Sequence, residues 1–349
     1  MEIGICSFAD LGTHPVTGES VSPRQRLENL LEEIVLADQL GIDVFAVGEH
    51  HRPDYAVSSP ATILAAAAVK TNRIKLSSGV TVLSSDDPVR VFQQFATVDL
   101  LSKGRAEILA GRGSFIESFP LFGYNLREYD ALYAEKLDML VKLNQSEKIT
   151  WEGKLTQTIP GRGVYPRPYQ DQLPIWVAVG GTPESVVRAA EYGLPMTLAI
   201  IGGQPAQFGP YANLYRDRYL QAGHPADRFQ LAVNSHTYIA ENSQQALDEF
   251  YPPYADVMTR IGKERGWSGL SREQYEAGAG PNGALLVGSP QQVVDKILYE
   301  HELFGNTRFL AQMSIGALPH KLAMRSIELL GTKVLPQVKK QLNSSPFPQ

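Results

Sequence analysis

The chain has 349 residues, 43% of them hydrophobic and 20% charged, which is ordinary globular composition and excludes disordered, collagen-like and fibrous classes. Its 32 basic and 37 acidic residues leave a formal net charge of −5 without any basic block, which argues against nucleic acid and anionic membranes as partners. One cysteine, Cys6, excludes an internal disulfide and fits a reducing, cytoplasmic setting.

The start of the chain lacks the basic region and apolar core of a signal peptide. The longest uncharged stretch, residues 192–215, is broken by glycines and prolines and has too short an apolar centre to span a membrane. In chain order, the apolar run 2–7 predicts a first strand. A stripe through Leu27, Leu30, Leu31, Ile34 and Val35 predicts a helix over 24–40, closed by Gly41. Strand two follows at 42–47, and an alanine-rich helix opens at Ser59-Pro60 and runs to Val69. Strand three is expected at 74–83, a helix at 88–101 and strand four at 105–110. The second half repeats the alternation: strand five at 175–179, a helix at 184–192, strand six at 195–201, then helical material and strand seven at 229–239. Residues 245–265 read as a helix with a break at Pro252-Pro253. A helix at 290–304, strand eight at 307–313 and a helix at 318–335 complete the order.

Strand and helix alternating through short connections imply parallel strands and right-handed crossovers. The predicted fold class is α/β, a (β/α)8 TIM barrel. Such a barrel takes about 250 residues, so insertions are expected at the strand C-terminal face. Two segments read as inserted: 148–170, a hairpin turning at Trp151 to Lys154, and the glycine-rich 267–283, which shows no clean period and is a candidate lid. Residues 1–340 then form one barrel domain and 341–349 a C-terminal tail.

A barrel collects its chemistry at the C-terminal strand ends. Those ends carry Ser7-Phe8, Glu49-His50-His51, Gly79-Val80, Gly111-Arg112-Gly113, Gly180-Gly181-Thr182, Ile201-Gly202-Gly203, Asn234-Ser235-His236 and Gln312-Met313. Adjacent strand residues face opposite ways, so His50 and His51 do not share a metal, and no His/Cys spacing completes a site. An inward histidine suits acid–base or hydrogen-bonding work; a histidine tied to Glu49 or Asp54 is the plain alternative. Gly180, Gly181, Thr182 and Ser185 sit where free helix N-terminal amides, close-approach glycines and hydroxyls suit a phosphate. Simple capping by Thr182 before Pro183 is the alternative there. Arg112 lies one strand away and could clamp the same anion, or pair with Glu117. Asp87 before Pro88 reads as a helix cap, and Cys6 as an inert buried thiol.

Read together, Val82 to Arg90 (VLSSDDPVR), Asp99 to Arg105 (DLLSKGR), Gly111-Arg112-Gly113, Glu49-His50-His51, Pro174-Ile175-Trp176 through Gly180-Gly181-Thr182 to Ser185, and Leu318-Pro319 before Ser326 to Leu329 resemble the bacterial luciferase-like flavin monooxygenases. The resemblance runs from residue 1 to about 340. It implies a barrel in which reduced FMN meets O2, forms a C4a-(hydro)peroxide and oxygenates a small organic substrate. It implies that Arg112, Gly180, Gly181, Thr182 and Ser185 hold the phosphate. Gly79 and Val80 would line the flavin ring, where the family often has a non-proline cis peptide, and His50 would stand at the reactive flavin edge. Relatives commonly take reduced flavin from a separate reductase, and many are dimers. The luciferase phosphate loop carries a glutamate where this chain has Gly180, so the loop resembles the alkanesulfonate branch better, yet that branch's sulfonate-binding arginines have no clear counterpart. Coenzyme F420-dependent hydride transfer is the rival on the same barrel. Its longer acidic tail calls for more cations, which Arg162, Arg167 or Arg188 could supply beside Arg112. A flavin-binding protein without turnover is the non-enzymatic rival.

Overall fold

Twelve strands are present in the computed structural model, which describes residues 1–344. They are β1 (Glu2–Ser7), β2 (Val44–Val47), β3 (Lys75–Ser78), β4 (Thr81–Val82), β5 (Ala106–Gly111), β6 (Lys148–Trp151), β7 (Ile159–Gly163), β8 (Ile175–Val179), β9 (Met196–Ile200), β10 (Leu231–Ile239), β11 (Leu286–Gly288) and β12 (Arg308–Gln312). Parallel pairing runs β1–β2–β3–β5–β8–β9–β10–β12 and returns from β12 to β1, closing the predicted barrel. Sequence explains the burial: VFAV in β2 and AEILAG in β5 are buried at every position, as parallel strands covered on both faces must be. Helices follow most of the barrel strands and cover the outside, with Leu30, Ile34, Leu64, Phe92, Phe95, Val186 and Ile297 buried against the sheet.

The expected third strand is two short pieces, β3 and β4, with a cis Gly79–Val80 peptide between them. β4 still pairs with β5, so the interruption stays inside the barrel wall. The expected hairpin within 148–170 is present as antiparallel β6 and β7, whose pairing shifts register between Ile149 and Trp151.

Four features depart from the expected order. The helix Tyr129–Gln145 has no counterpart among the expected elements. Its apolar stripe is blurred because Lys136 and Asn144 are buried along with Leu137 and Leu140. No break occurs at Pro252-Pro253: Ser243–Arg265 is one helix, held in line where Phe250 and Tyr254 stack on each other and Phe250 on Tyr238. Segment 267–283 contains the helix Arg272–Ala279, opened by a Ser271/Gln274 capping box; it is short and buries only Tyr275, which leaves no periodic signal. The last helix starts at His320, passes through a π turn at Leu330–Val334 and continues as Leu335–Ser344. Residues 341–344 of the expected tail therefore belong to this helix, where Leu342 packs on the core; residues 345–349 lie outside the described residues.

Candidate active site

A cavity of about 450 Å³ opens at the C-terminal ends of the barrel strands. His50, Gly79, Val80, Arg112, Gly180 and Thr182 all line it, so six of the eight expected site residues converge. Gly181 and Ser185 do not. Gly181, at φ +115°, makes the turn into the next helix, and Ser185 is buried in that helix's first turn. A second cavity of about 470 Å³ lies beside the helix Pro23–Gln39, away from the other strand ends, and shares only Asp10 and Ile315 with the first.

The corner around Arg112 is built from two neighbouring strands. β5 ends at Gly111, where an added Cβ would stand 2.7 Å from the Val80 side chain, and Gly113, at φ +82°, turns the chain away. Arg112 between them reaches the loop after β8, donating from Nη2 to Thr182 Oγ1 at 2.7 Å. Its Nη1 meets Asp130 Oδ1 at 2.6 Å, and the guanidinium lies 5.4 Å from the Tyr129 ring centre. Tyr129 is itself fixed by its hydroxyl, which donates to Gly113 O at 2.8 Å. The alternative partner Glu117 is engaged elsewhere, by Arg52 at 2.8 Å.

Thr182 occupies the N-cap position of Pro183–Glu191 but makes no side-chain capping bond. Its hydroxyl accepts from Arg112 instead. The capping alternative therefore holds for position, with Thr182 at the N-cap and Pro183 after it, but not for the side-chain bond: the helix N-terminus keeps donors uncapped by side chain among the described residues, next to a guanidinium and an open glycine, since nothing stands within 4 Å of a Cβ at Gly180.

His50 and His51 separate as expected. His51 Nε2 pairs with Glu49 Oε1 at 2.7 Å, and Glu49 Oε2 accepts from Val82 N at 3.0 Å, tying the end of β2 to β4. His50 faces the cavity. It stacks on Phe8 at 4.5 Å, with Tyr55 at 4.4 Å and Phe115 edge-on at 4.8 Å. Burial, with Arg52 and His51 nearby, pushes its imidazole down to about 3, so the ring is neutral near neutral pH.

Sequence reasoning missed several contributors. His236 on β10 is 3% exposed and lines the cavity, and neither ring nitrogen has a hydrogen-bond partner among the described residues. Burial pushes it down to about 4. Its strand end was recognised, but nothing in the sequence distinguishes a partnerless histidine from a satisfied one. Thr197 and Asn234 stand beside it in the lining. Cys6 also reaches the wall: its thiol lies 3.6 Å from Gly79 O and burial raises it to about 12, which keeps it protonated and inert.

The mouth is framed by three segments. Arg52 donates to Glu117 at 2.8 Å and Glu264 at 2.9 Å, joining the loop after β2, the loop after β5 and the end of the helix Ser243–Arg265. Arg265 donates to Ser114 O at 3.1 Å. Trp267, 57% exposed, lines the rim, so the expected candidate lid does contribute to the cavity, which opens to solvent there.

The sequence model of the luciferase-like monooxygenase family matches residues 1–307. Among curated relatives, 4-hydroxyprotoasukamycin monooxygenase of Streptomyces nodosus subsp. asukaensis is 26% identical over 340 residues, covering 93% of this chain and 89% of that one. Among solved structures, the monooxygenase RslO1 from Streptomyces bottropensis superposes with a TM-score of 0.83 at 27% identity, covering 97% of this chain and 99% of that one. The fold is shared by the oxygenating constituent of 3,6-diketocamphane monooxygenase from Pseudomonas putida in complex with FMN (TM-score 0.77, 21% identity, 97% and 98% covered). It is shared also by the coenzyme F420-dependent tetrahydromethanopterin reductase of Methanopyrus kandleri (TM-score 0.72, 21% identity, 97% and 99% covered).

Proposed function

The chain belongs to the luciferase-like monooxygenase family, a family of oxidoreductases, and from that premise we propose that it binds FMN in the barrel-top cavity and oxygenates a small organic substrate with reduced flavin and O2. The observation that carries the reading is the Arg112–Thr182 joint at a helix N-terminus that no side chain caps. A phosphate there would meet a fork of guanidinium donors, a hydroxyl and backbone amides, the donor set that dianions favour. Val80, Leu109 and Ala178 offer an apolar wall for a ring system. His236, with both nitrogens unpaired, offers a donor and an acceptor to its polar edge.

Bound reduced FMN would supply the electrons that activate O2. The protein's part is position and exclusion of water. Arg112 and Thr182 anchor the phosphate, and the aliphatic wall keeps water from the ring. His50, neutral and held between Phe8, Tyr55 and Phe115, serves as a hydrogen-bonding wall beside the reacting atoms and not as a proton store.

The number of cations favours FMN over F420. Only Arg112 and Arg265 carry positive charge among the lining residues. Arg167 is engaged with Leu143 O at 2.9 Å and Asn144 O at 3.2 Å, and Arg188 with the Tyr133 ring at 5.6 Å. Arg162 lies on β7, outside the lining. A longer acidic tail would find few partners. The solvent-open mouth favours turnover over storage. The test is anaerobic equilibrium binding of FMN, riboflavin and F420 to the native chain and to Arg112→Ala. FMN is expected to bind far more tightly than riboflavin, and Arg112→Ala to weaken FMN by about ten- to hundredfold, the worth of a charged hydrogen-bonding group. Preference for F420, or equal FMN affinity in both proteins, sinks the reading.

A further inference from the structure

The anion corner occupies one side of the cavity, and the opposite side has another chemistry. There Phe8, Tyr55 and Phe115 surround His50, and Met258, Ile261 and Trp267 come in from the end of the helix Ser243–Arg265 and the residue pair after it. Flat rings at 4.4 to 4.8 Å from a single imidazole make an apolar wall suited to a ring or a compact hydrocarbon body.

Charge on that side is paired, neutralised or held at the rim. Asp10, the acid in the lining, accepts from Gly316 N at 3.0 Å and from the Ser314 hydroxyl, and burial raises its pKa. His50 is neutral for want of solvation. Arg52, beneath Phe115 at 4.4 Å, is surrounded by Asp54, Glu117 and Glu264. Arg260 is spent on Asp54. Arg265 is exposed at the rim, bonded to Ser114 O and placed between the Phe115 and Trp267 rings at 5.9 and 5.6 Å. Glu117 keeps one buried carboxylate oxygen, Oε2, with no partner, which would repel an anion brought past it. A carboxylate or sulfonate seated here would lose its hydration without gaining a cation, which is costly.

We propose that this half of the cavity selects an uncharged, apolar organic substrate and rejects organic anions. The inference rests on reading the cavity as an FMN-dependent oxygenase site and adds the substrate class to it. The residues that set the class are Phe115, Met258, Ile261 and Trp267, with Arg112 reserved for the cofactor.

The test is calorimetric titration of the FMN-loaded protein with two eight-carbon probes, cyclooctanone and octane-1-sulfonate. Cyclooctanone is expected to bind at least about tenfold more tightly. Phe115→Ala should weaken the ketone by about tenfold, and Met258→Lys should raise sulfonate affinity by placing a cation in the apolar wall. Equal or tighter sulfonate binding to the native chain overturns the proposal, as does failure of cyclooctanone to bind at millimolar concentration. Loss of sulfonate binding in Arg265→Gln would then name the rim arginine as the anion site. FMN affinity is measured on the same samples. If FMN fails to bind while the ketone preference persists in the unloaded protein, the cofactor reading falls and the substrate class stands. If FMN binds and the sulfonate is preferred, only the substrate class falls.

Discussion

Arg308 on β12 donates two hydrogen bonds across the barrel floor to Glu107 on β5, at 2.7 and 3.0 Å. Both side chains are 3 to 4% exposed, and the guanidinium also covers the Trp176 ring at 4.1 Å. Glu2 joins from β1 through Arg308 Nε at 2.8 Å, and Lys75 from β3 reaches Glu2 at 2.7 Å. These residues open their strands, so the network stands at the end of the barrel opposite the cavity, where side chains serve stability.

Glu107→Ala would leave Arg308 buried with Glu2 as its remaining carboxylate. Breaking a buried pair from one side costs about 3–5 kcal/mol, and the lower end is expected because Glu2 stays. Denaturant unfolding should show that loss, while FMN affinity in the absence of denaturant stays at the native value. A loss below about 1 kcal/mol, the worth of an exposed pair, would mean that Glu2 alone neutralises Arg308.

Asp130 competes with any anion for Arg112. Its carboxylate is 75% exposed and takes Nη1 at 2.6 Å. An exposed pair contributes at most about 1 kcal/mol, so Asp130→Asn should tighten FMN binding by about two- to fivefold. The gain should shrink at high salt, where exposed charges are screened. Unchanged affinity at low salt would mean that the phosphate does not use the Nη1 side of Arg112.

How much of this site was legible in the sequence follows from what each residue needs. Arg112 and Thr182 could be paired because glycine punctuation and strand order fix which loops are neighbours in a barrel. His236 could not be singled out, since an inward histidine at a strand position reads the same with or without partners. Phe115, Met258 and Trp267 come from loop and helix ends whose meeting point is set by tertiary packing, notably the Arg52 link to Glu117 and Glu264. The helix Tyr129–Gln145 was hidden for a related reason: burial of Lys136, whose Nζ donates to Ser84 O at 2.9 Å, breaks the apolar pattern that marks a helix.

Acid should weaken the fold through the two cavity histidines. In the unfolded chain an imidazole gains its proton as pH falls through about 6.5. In the fold, burial holds His50 neutral down to about 3 and His236 down to about 4. The unfolded state therefore binds more protons in that window, and stability falls as pH drops from 6.5 toward 4, by up to about 1.4 kcal/mol per pH unit for each histidine. His236→Phe should remove one share of that slope, read as unfolding free energy at pH 6.5 and 4.5 against the native chain. The same variant should weaken FMN, because it deletes the unpaired donor and acceptor. A slope identical to the native one would show that His236 takes up its proton in the folded state.

The turn between β6 and β7 is fastened by one carboxylate. Glu135, on the helix Tyr129–Gln145, accepts from Lys154 N at 2.9 Å, Leu155 N at 3.0 Å and Thr156 N at 2.9 Å, and from the Thr156 hydroxyl at 2.7 Å. Burial opposes its ionisation, but the Thr156 hydroxyl and the three amides outweigh it and hold the carboxyl below the usual range. The stabilisation is therefore present above pH 4.5 and is lost as pH falls below it through the depressed value. Glu135→Gln leaves an acceptor where Oε1 takes these bonds but removes the charge that strengthens them, and it brings a donor toward Leu155 N, which Oε2 accepts at 3.1 Å. Amide exchange at residues 154–156 should quicken by about tenfold, the worth of roughly one hydrogen bond, and acidifying the native chain should produce the same change. Global unfolding should move far less, since Ile149 and Ile159 still pack the two strands into the main core when the turn loosens. If exchange at those amides is the same in both proteins, the turn is held by its own backbone and Glu135 merely rests against it.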